Sequence, residues 1–387
     1  MTKIILSSVI ANKPSNGGNA WVILSWVRGL KKLGFDVYFV EQLDRRSSLS
    51  ADGSPAAFEQ SVNLEYFSRV VEECGLKGKA ALVFEEGERI YGMTGEELLD
   101  LCDGAALLVN ITGHLHWPKL VRALRRKAYV DLDPGFTQFW HARGDSSARL
   151  EGHDFYFTVG ENIGQPSCSI PTGGIRWRPV RQPVVLEDWP VCRAPEPFRF
   201  TTVASWRGAY GAIEYDGVTY GTKAHEWRKL SELPRLTGQA FEIALDIHPA
   251  EERDLEMLRL HGWQLADPRA VAAEPDAFRR YVQNSGAEFS VAQGVYVATR
   301  SGWFSDRTVR YLASGKPALV QETGFSRNYP AGEGLVAFRT RDEAQAGVSN
   351  ILRDYENHAK RARQLAEEFF DSDRVLGRLI EEVGVAP

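Results

Sequence analysis

The chain has 387 residues, 43% of them apolar and 25% charged, which allows two or three domains with sizeable cores and excludes a mainly disordered polymer. A net charge of −5 carries no electrostatic footprint for a nucleic-acid backbone or an anionic membrane, so the expected partner is a small-molecule acceptor and no nucleic acid. Cys74, Cys102, Cys168 and Cys192 are too scattered for a disulfide framework, and no run reaches the roughly 18 apolar residues of a membrane span, so a cytoplasmic protein with reduced thiols and no integral membrane segment is expected.

Lys3 to Val9 is a short apolar run with β-branched residues, Pro14 to Gly18 a breaker cluster, and Ala20 to Leu33 an apolar pattern at helical spacing that ends before Gly34. Asp36 to Glu41 then reads as a second strand, which makes a βαβ unit of a parallel sheet. Residues 44–57 read as an exposed loop or lid. The alternation continues through a helix at 58–74, a strand at 80–84, a helix at 94–101, a strand at 105–110, a helix at 118–126 and a strand at 128–132. Between Pro166 and Pro197 seven prolines and the Gly173-Gly174 pair interrupt any periodicity, as an interdomain connection does. A second alternation follows: strands at 198–205, 241–248, 287–292, 317–321 and 335–338, and helices at 223–233, 251–261, 276–284 and 306–314, the last closed by Gly315. The tail from Arg341 to Val383 is charged and helical, with Asn350, Asp354 and His358 expected on its polar face. The expected divisions are an N-terminal Rossmann-like domain over residues 1–180, a linker over 181–197, a C-terminal Rossmann-like domain over 198–340 and terminal helices over 341–387.

Two α/β domains in succession place a ligand in the cleft between the carboxyl ends of their sheets, so chemistry is sought just after strands. In the first loop, Gly17, Gly18 and Asn19 open directly onto a helix, which suits close approach of a phosphate or hydroxyl; a plain turn that needs glycine reads equally well. It is not the GxGxxG of a dinucleotide oxidoreductase. After the strand ALLVN, His114 and His116 follow Gly113; His114 is the candidate for a sugar hydroxyl contact or a general base. Asp133 closes the next strand and could take a proton from an acceptor. Asp131 and Asp133 also spell D-x-D, which could hold a divalent metal on a nucleotide diphosphate, but no metal-ligand cluster accompanies them and no metal is expected.

In the second half, Arg207 and Lys223 flank one strand-to-helix loop and would form a cationic clamp on a diphosphate. Ser305 and Asp306 carry N-cap chemistry, Arg307 and Thr308 fall in the first helical turn, and Thr323 and Gly324 lie in the neighbouring strand-end loop, a convergence that suits a nucleotide phosphate. Arg307→Ala is therefore expected to harm turnover far more than folding. Of the ten tryptophans, Trp117, Trp206 and Trp303 fall in loops expected to face the cleft, where a ring can stack on a sugar or base; Trp21, Trp26 and Trp227 fall on helices and are expected in the core.

PSNGGNAWVILSWVRGLKKLGFDVYFVE and DRTVRYLASGKPALVQETGF together resemble GT-B fold glycosyltransferases, the first their opening double-glycine loop, helix and strand, the second their donor-site helix, A-x-G-x-P turn and glycine loop. The resemblance implies two facing Rossmann-like domains, an α/β fold with a C-terminal helix packing back across them, a nucleotide in the C-terminal domain, an acceptor in the N-terminal one, and His114 near the donor sugar. It implies a metal-independent transferase with a nucleotide diphosphate sugar as co-substrate and no further cofactor. A nucleotide-sugar epimerase or hydrolase of the same fold, or a non-catalytic binding protein, are the alternative readings. The glutamate pair of the large retaining branch would stand at positions 302 and 310, where this chain has Gly302 and Arg310.

Overall fold

The computed structural model describes residues 1–387. An eight-stranded sheet contains β1 (Lys3–Ser7), β2 (Asp36–Leu43), β3 (Ala80–Phe84), β4 (Arg89–Tyr91), β5 (Leu107–Ile111), β6 (Lys127–Asp131), β7 (Phe155–Thr158) and β8 (Trp177–Pro179), in the order β4-β3-β2-β1-β5-β6-β7-β8. Only the β3/β4 pair is antiparallel. The remaining strands are β9 (Phe200–Ser205), β10 (Ile213–Tyr215), β11 (Val218–Tyr220), β12 (Phe241–Asp246), β13 (Trp263–Ala266), β14 (Ala287–Ser290), β15 (Ala318–Gln321) and β16 (Leu335–Phe338). Six of these make a parallel sheet, β13-β12-β9-β14-β15-β16, and β10 and β11 pair as a separate hairpin. In each large sheet the strand order reverses beside the first strand, between β1 and β5 and between β9 and β14. That reversal opens the crevice in which α/β sheets take ligands.

Local chemistry explains most element boundaries. The helix expected over 58–74 starts at Val62, because the Ser61 hydroxyl accepts from the Leu64 N–H and caps it there. Leu98 and Leu101 are buried under the sheet, and Thr94 and Glu97 form a reciprocal capping box at the start of that helix. The loop at 44–57 is tied down: Leu49 bridges to Pro55, and its N–H donates to Asn63 Oδ1 at 2.8 Å. Trp21, Trp26 and Trp227 are buried, in agreement with their helical spacing.

The tail forms helices Arg341–Arg353, Tyr355–Phe369 and Ser372–Val383. The last returns to the first domain and packs on the helix Gly17–Lys32, where a Cβ on Gly29 would fall 2.6 Å from Leu376. His358 departs from expectation: it is buried, and its Nδ1 accepts from the Gly334 N–H at 3.1 Å, because the turn before β16 folds over that helix face.

Candidate interdomain active site

On the N-terminal side, buried polar residues of the sheet hold the strand-end loops. Gln42, at the end of β2, accepts the N–H groups of His116 and Trp117 on its Oε1 at 3.0 and 2.9 Å. His116 Nδ1 faces the His114 carbonyl at 3.1 Å, which can only accept, so Nδ1 carries the proton and Nε2 accepts from Gln42 Nε2. His116 is thus committed to the loop, and Asn110 pins Leu115 through both its N–H and its carbonyl. Held from both sides, the loop turns the His114 ring into the crevice. Burial and then the charges of Lys13 and Arg149 push its pKa down to about 3, so it is a neutral imidazole at any physiological pH.

Asp131 and Asp133 divide the work that D-x-D suggested. Asp131 is buried and accepts from the Asp133 N–H, Thr137 Oγ1, Gln138 Nε2 and Thr158 Oγ1 at 2.7–3.0 Å. Its oxygens are taken up in shaping the turn and offer a metal no free ligand. Asp133 instead opens into the crevice, with Tyr296 of the other domain donating to its Oδ1 at 3.2 Å. Burial raises its pKa, against the pull of Lys13 and that hydrogen bond.

A cavity of about 260 Å³ lies here, lined by Thr112, His114, Tyr129, Asp133, Thr137, Trp140, Ser147, Ala148 and Arg149 from the first domain and by Tyr210 from the second. Tyr210 precedes the β10/β11 hairpin, which spans the crevice: Tyr215 and Tyr220 stack on Phe139 at 4.7 and 5.1 Å, and Tyr210 packs on Phe136 and Trp140 at 4.8 Å each. Arg149, Trp140, Tyr210 and Tyr296 are site residues that strand-end reasoning missed. The hairpin did carry a signal, Asp216-Gly217 between two alternating apolar pairs, and both residues take the positive φ of 51° and 73° that a two-residue hairpin turn needs.

Across the crevice, Lys223 begins the helix Lys223–Leu230. Its ammonium has no partner in the chain, and burial followed by the nearby Arg307 pushes its pKa down to about 7. The loops around it are close-packed, with Gly294 against the Gly221 carbonyl and Gly208 against the Gln293 side chain. Ser305 caps the helix Asp306–Ala313 by accepting the Arg307 N–H, and Thr308 is buried in its first turn.

Several expected ligand contacts prove to be engaged within the protein. Arg307 donates to Glu288 Oε1 at 2.7 Å, to the Val203 carbonyl at 2.8 Å and to Ser290 Oγ at 2.9 Å, so its head is spent bracing β9 and β14. Arg207 points outward to an ion pair with Glu251. The Asp306 carboxylate turns back onto Arg310 at 2.9 Å, pairing with the arginine at the position of the absent glutamate while its Nε stays without a partner. Thr323 donates to the Trp303 carbonyl, and Gly324, at φ +94°, lies against Asn162 of the first domain, as does Gly302.

The double-glycine loop also meets protein. The Gly17 N–H donates to the Ala272 carbonyl at 2.9 Å, a Cβ on Gly17 would sit 2.3 Å from the Glu274 carbonyl oxygen, and Gly18 touches the Phe278 ring. Asn19 donates to the Val9 carbonyl. Trp206 does not face the cleft: it is 1% exposed and donates to Asp254 Oδ2 at 2.8 Å, because the turn after β9 rotates its ring into the second core. Trp117 lies on Gly87, away from the cavity, and Trp303 is half-buried with one face stacked on Tyr296 at 4.6 Å.

No protein-family model and no curated protein matches this sequence. Solved structures match it over the whole chain. An α-glucosyltransferase in complex with UDP-glucose and DNA containing an abasic site aligns at TM-score 0.62 and 11% identity over 99% of both chains. HepE from Anabaena, in complex with UDP and glucose, aligns at 0.59 and 10% over 99% of this chain and 100% of its own. Sucrose-phosphate synthase from Thermosynechococcus elongatus aligns at 0.56 and 12% over 99% of both. The chain therefore has the GT-B fold, two Rossmann-like domains facing one another. The expectation of a small-molecule acceptor without nucleic acid is overturned: the α-glucosyltransferase of this architecture holds DNA in three structures. Net charge is a sum over the whole surface, and it is the local charge of the face at the crevice that decides whether a phosphate backbone is admitted. No helix is long and apolar enough to cross a membrane.

Proposed function

We propose that this protein is a glycosyltransferase that takes a sugar from a nucleoside diphosphate, with UDP the nucleotide suggested by the structures of the same fold, and passes it to a hydroxyl in the 260 Å³ cavity. One observation carries the reading: the second domain presents a partnerless, half-buried Lys223 at a helix start, and its Tyr210 closes a cavity of the first domain that holds the Asp133 carboxylate and a neutral histidine. In the transfer, the bond between the anomeric carbon and the diphosphate breaks and the electron pair leaves on the phosphate. Lys223 and the N-terminal end of the helix Asp306–Ala313, begun by Ser305 and carrying Thr308, answer that developing charge. The acceptor oxygen bonds the anomeric carbon and its proton passes to Asp133, whose raised pKa suits a base. His114, neutral, accepts or donates one hydrogen bond to the donor sugar. Lys223 supplies the charge a metal would otherwise bring, so turnover is expected to survive EDTA.

The test is calorimetric titration with UDP. A lysine half-deprotonated near pH 7 is recharged by a bound diphosphate, so binding takes up a proton at pH 8 and none at pH 6, and affinity falls as pH rises between them. Lys223→Met should bind UDP at least about tenfold more weakly and show no proton uptake. Wild-type affinity in that variant sinks the assignment of the donor site.

A further inference from the structure

The polar groups of the cavity share one leaning. Arg149 enters it from a left-handed backbone position, φ +49°, and the turn that carries it is fixed: Tyr129 donates to the Ala148 carbonyl at 2.9 Å, Tyr156 to the Leu150 carbonyl at 2.8 Å, and Gly113 lies so close that a Cβ there would be 2.8 Å from Arg149 Cβ. The only carboxylate near its head is Asp44, 3.9 Å away and 46% exposed, a pair too open to occupy it. Lys13 lies near enough to act on both His114 and Asp133. Thr112 and Ser147 line the same cavity as Arg149 and carry hydroxyls. Burial lowers the pKa of both histidines of the loop, and the exposed Asp44 is the one carboxylate paired with Arg149.

We infer that the acceptor carries a phosphate group, held by Arg149 and the Thr112 and Ser147 hydroxyls, beside the hydroxyl that Asp133 deprotonates. This rests on the cavity being the acceptor side of a glycosyltransferase. One guanidinium and two hydroxyls in the lining suit a tetrahedral oxyanion, and the guanidinium can meet two of its oxygens at once. Trp140 and Tyr210, packed edge to face on one another, also line the cavity and offer aromatic surface to a sugar or a base.

The test uses the full chain saturated with UDP, titrated with inorganic phosphate, with glucose 6-phosphate against glucose, and with a short DNA duplex. Arg149→Met keeps the aliphatic stem and the same backbone; it should leave UDP binding unchanged and weaken the phosphate probes at least about tenfold, while Arg149→Lys restores part of the loss. Arg149-dependent binding of glucose 6-phosphate but not of the duplex assigns a phosphate monoester. Arg149-dependent binding of the duplex assigns the phosphodiester of a nucleic acid. If UDP binds and none of the probes distinguishes Arg149→Met from wild type, the phosphate subsite is wrong and the donor assignment stands; if UDP itself fails to bind, the reading beneath it has failed.

Discussion

Arg307 holds together two strands that carry half of the crevice. Its partner Glu288 is fully buried on β14, and the guanidinium, 12% exposed, is its counter-charge at 2.7 Å. Removing one member of such a pair leaves a charge uncompensated in the interior, at a cost of about 3–5 kcal/mol. Arg307→Ala should therefore lose about that much stability in urea denaturation, and adding Glu288→Gln should return part of it. A single variant as stable as wild type would overturn the role. The spacing of the first helical turn pointed to this residue, but Glu288, Val203 and Ser290 reach it only after the sheet has formed. Trp206 has the same history, since its position after a strand was legible and its hydrogen bond to Asp254 was not. His114 and Asp133 were found because a strand-end rule needs no knowledge of partners. Arg149 and Tyr210 reach the cavity from a loop and a hairpin whose approach no local pattern encodes.

Secondary elements tell a parallel story at the domain seam. The helix Gly17–Lys32 needs glycine at its start, as its sequence shows, yet the reason lies in the second domain, whose Ala272–Pro275 backbone rests on it. Trp21 Nε1 donates to the Pro275 carbonyl at 2.7 Å, Tyr66 to the Ala273 carbonyl at 3.1 Å, and Arg69 pairs with Glu274 at 2.7 Å. A Cβ on Gly17 would sit 2.3 Å from a backbone oxygen, and backbone cannot swing aside, whereas on Gly18 it would meet only the Phe278 ring at 3.1 Å. Gly17→Ala should thus cost about 1–3 kcal/mol, the usual penalty of overpacking, and Gly18→Ala less. Thermal denaturation of the two variants checks the order, and equal losses would show that the seam yields as a whole. The short strands β4, β7, β8 and β13 escaped notice for a related reason: three or four residues between turns give too little alternation to read, and neighbours in the sheet decide their conformation.

At the scale of the whole molecule, the question is how firmly the two sheets are coupled, because a transferase cleft must admit and release nucleotide. The β10/β11 hairpin couples them through aromatic stacking, which can slide. The terminal helix couples them through the tail, whose turn between Phe369 and Ser372 is pinned to Val184 by two backbone hydrogen bonds. Asn162 couples them by directed bonds, which do not slide. Its Nδ2 donates to the Arg300 and Gly324 carbonyls at 3.0 and 3.1 Å, its Oδ1 accepts from Asn328 at 3.1 Å, and its N–H donates to the Ser301 carbonyl at 3.0 Å. Gly302 and Gly324 are the two places where the second domain must lack a side chain for this residue to fit. Asn162→Ala strands the buried Gly324 carbonyl, at about 1–3 kcal/mol, and frees the less buried Arg300 carbonyl and Asn328 amide. That loss falls on a seam that one apolar cluster also spans, from Trp21 and Trp26 to Phe278 and Phe304, so the variant should unfold at a lower temperature than wild type and move back up on addition of UDP. An unshifted transition in Asn162→Ala would mean that the other contacts of the seam, the Trp21, Tyr66 and Arg69 bonds among them, hold the halves together.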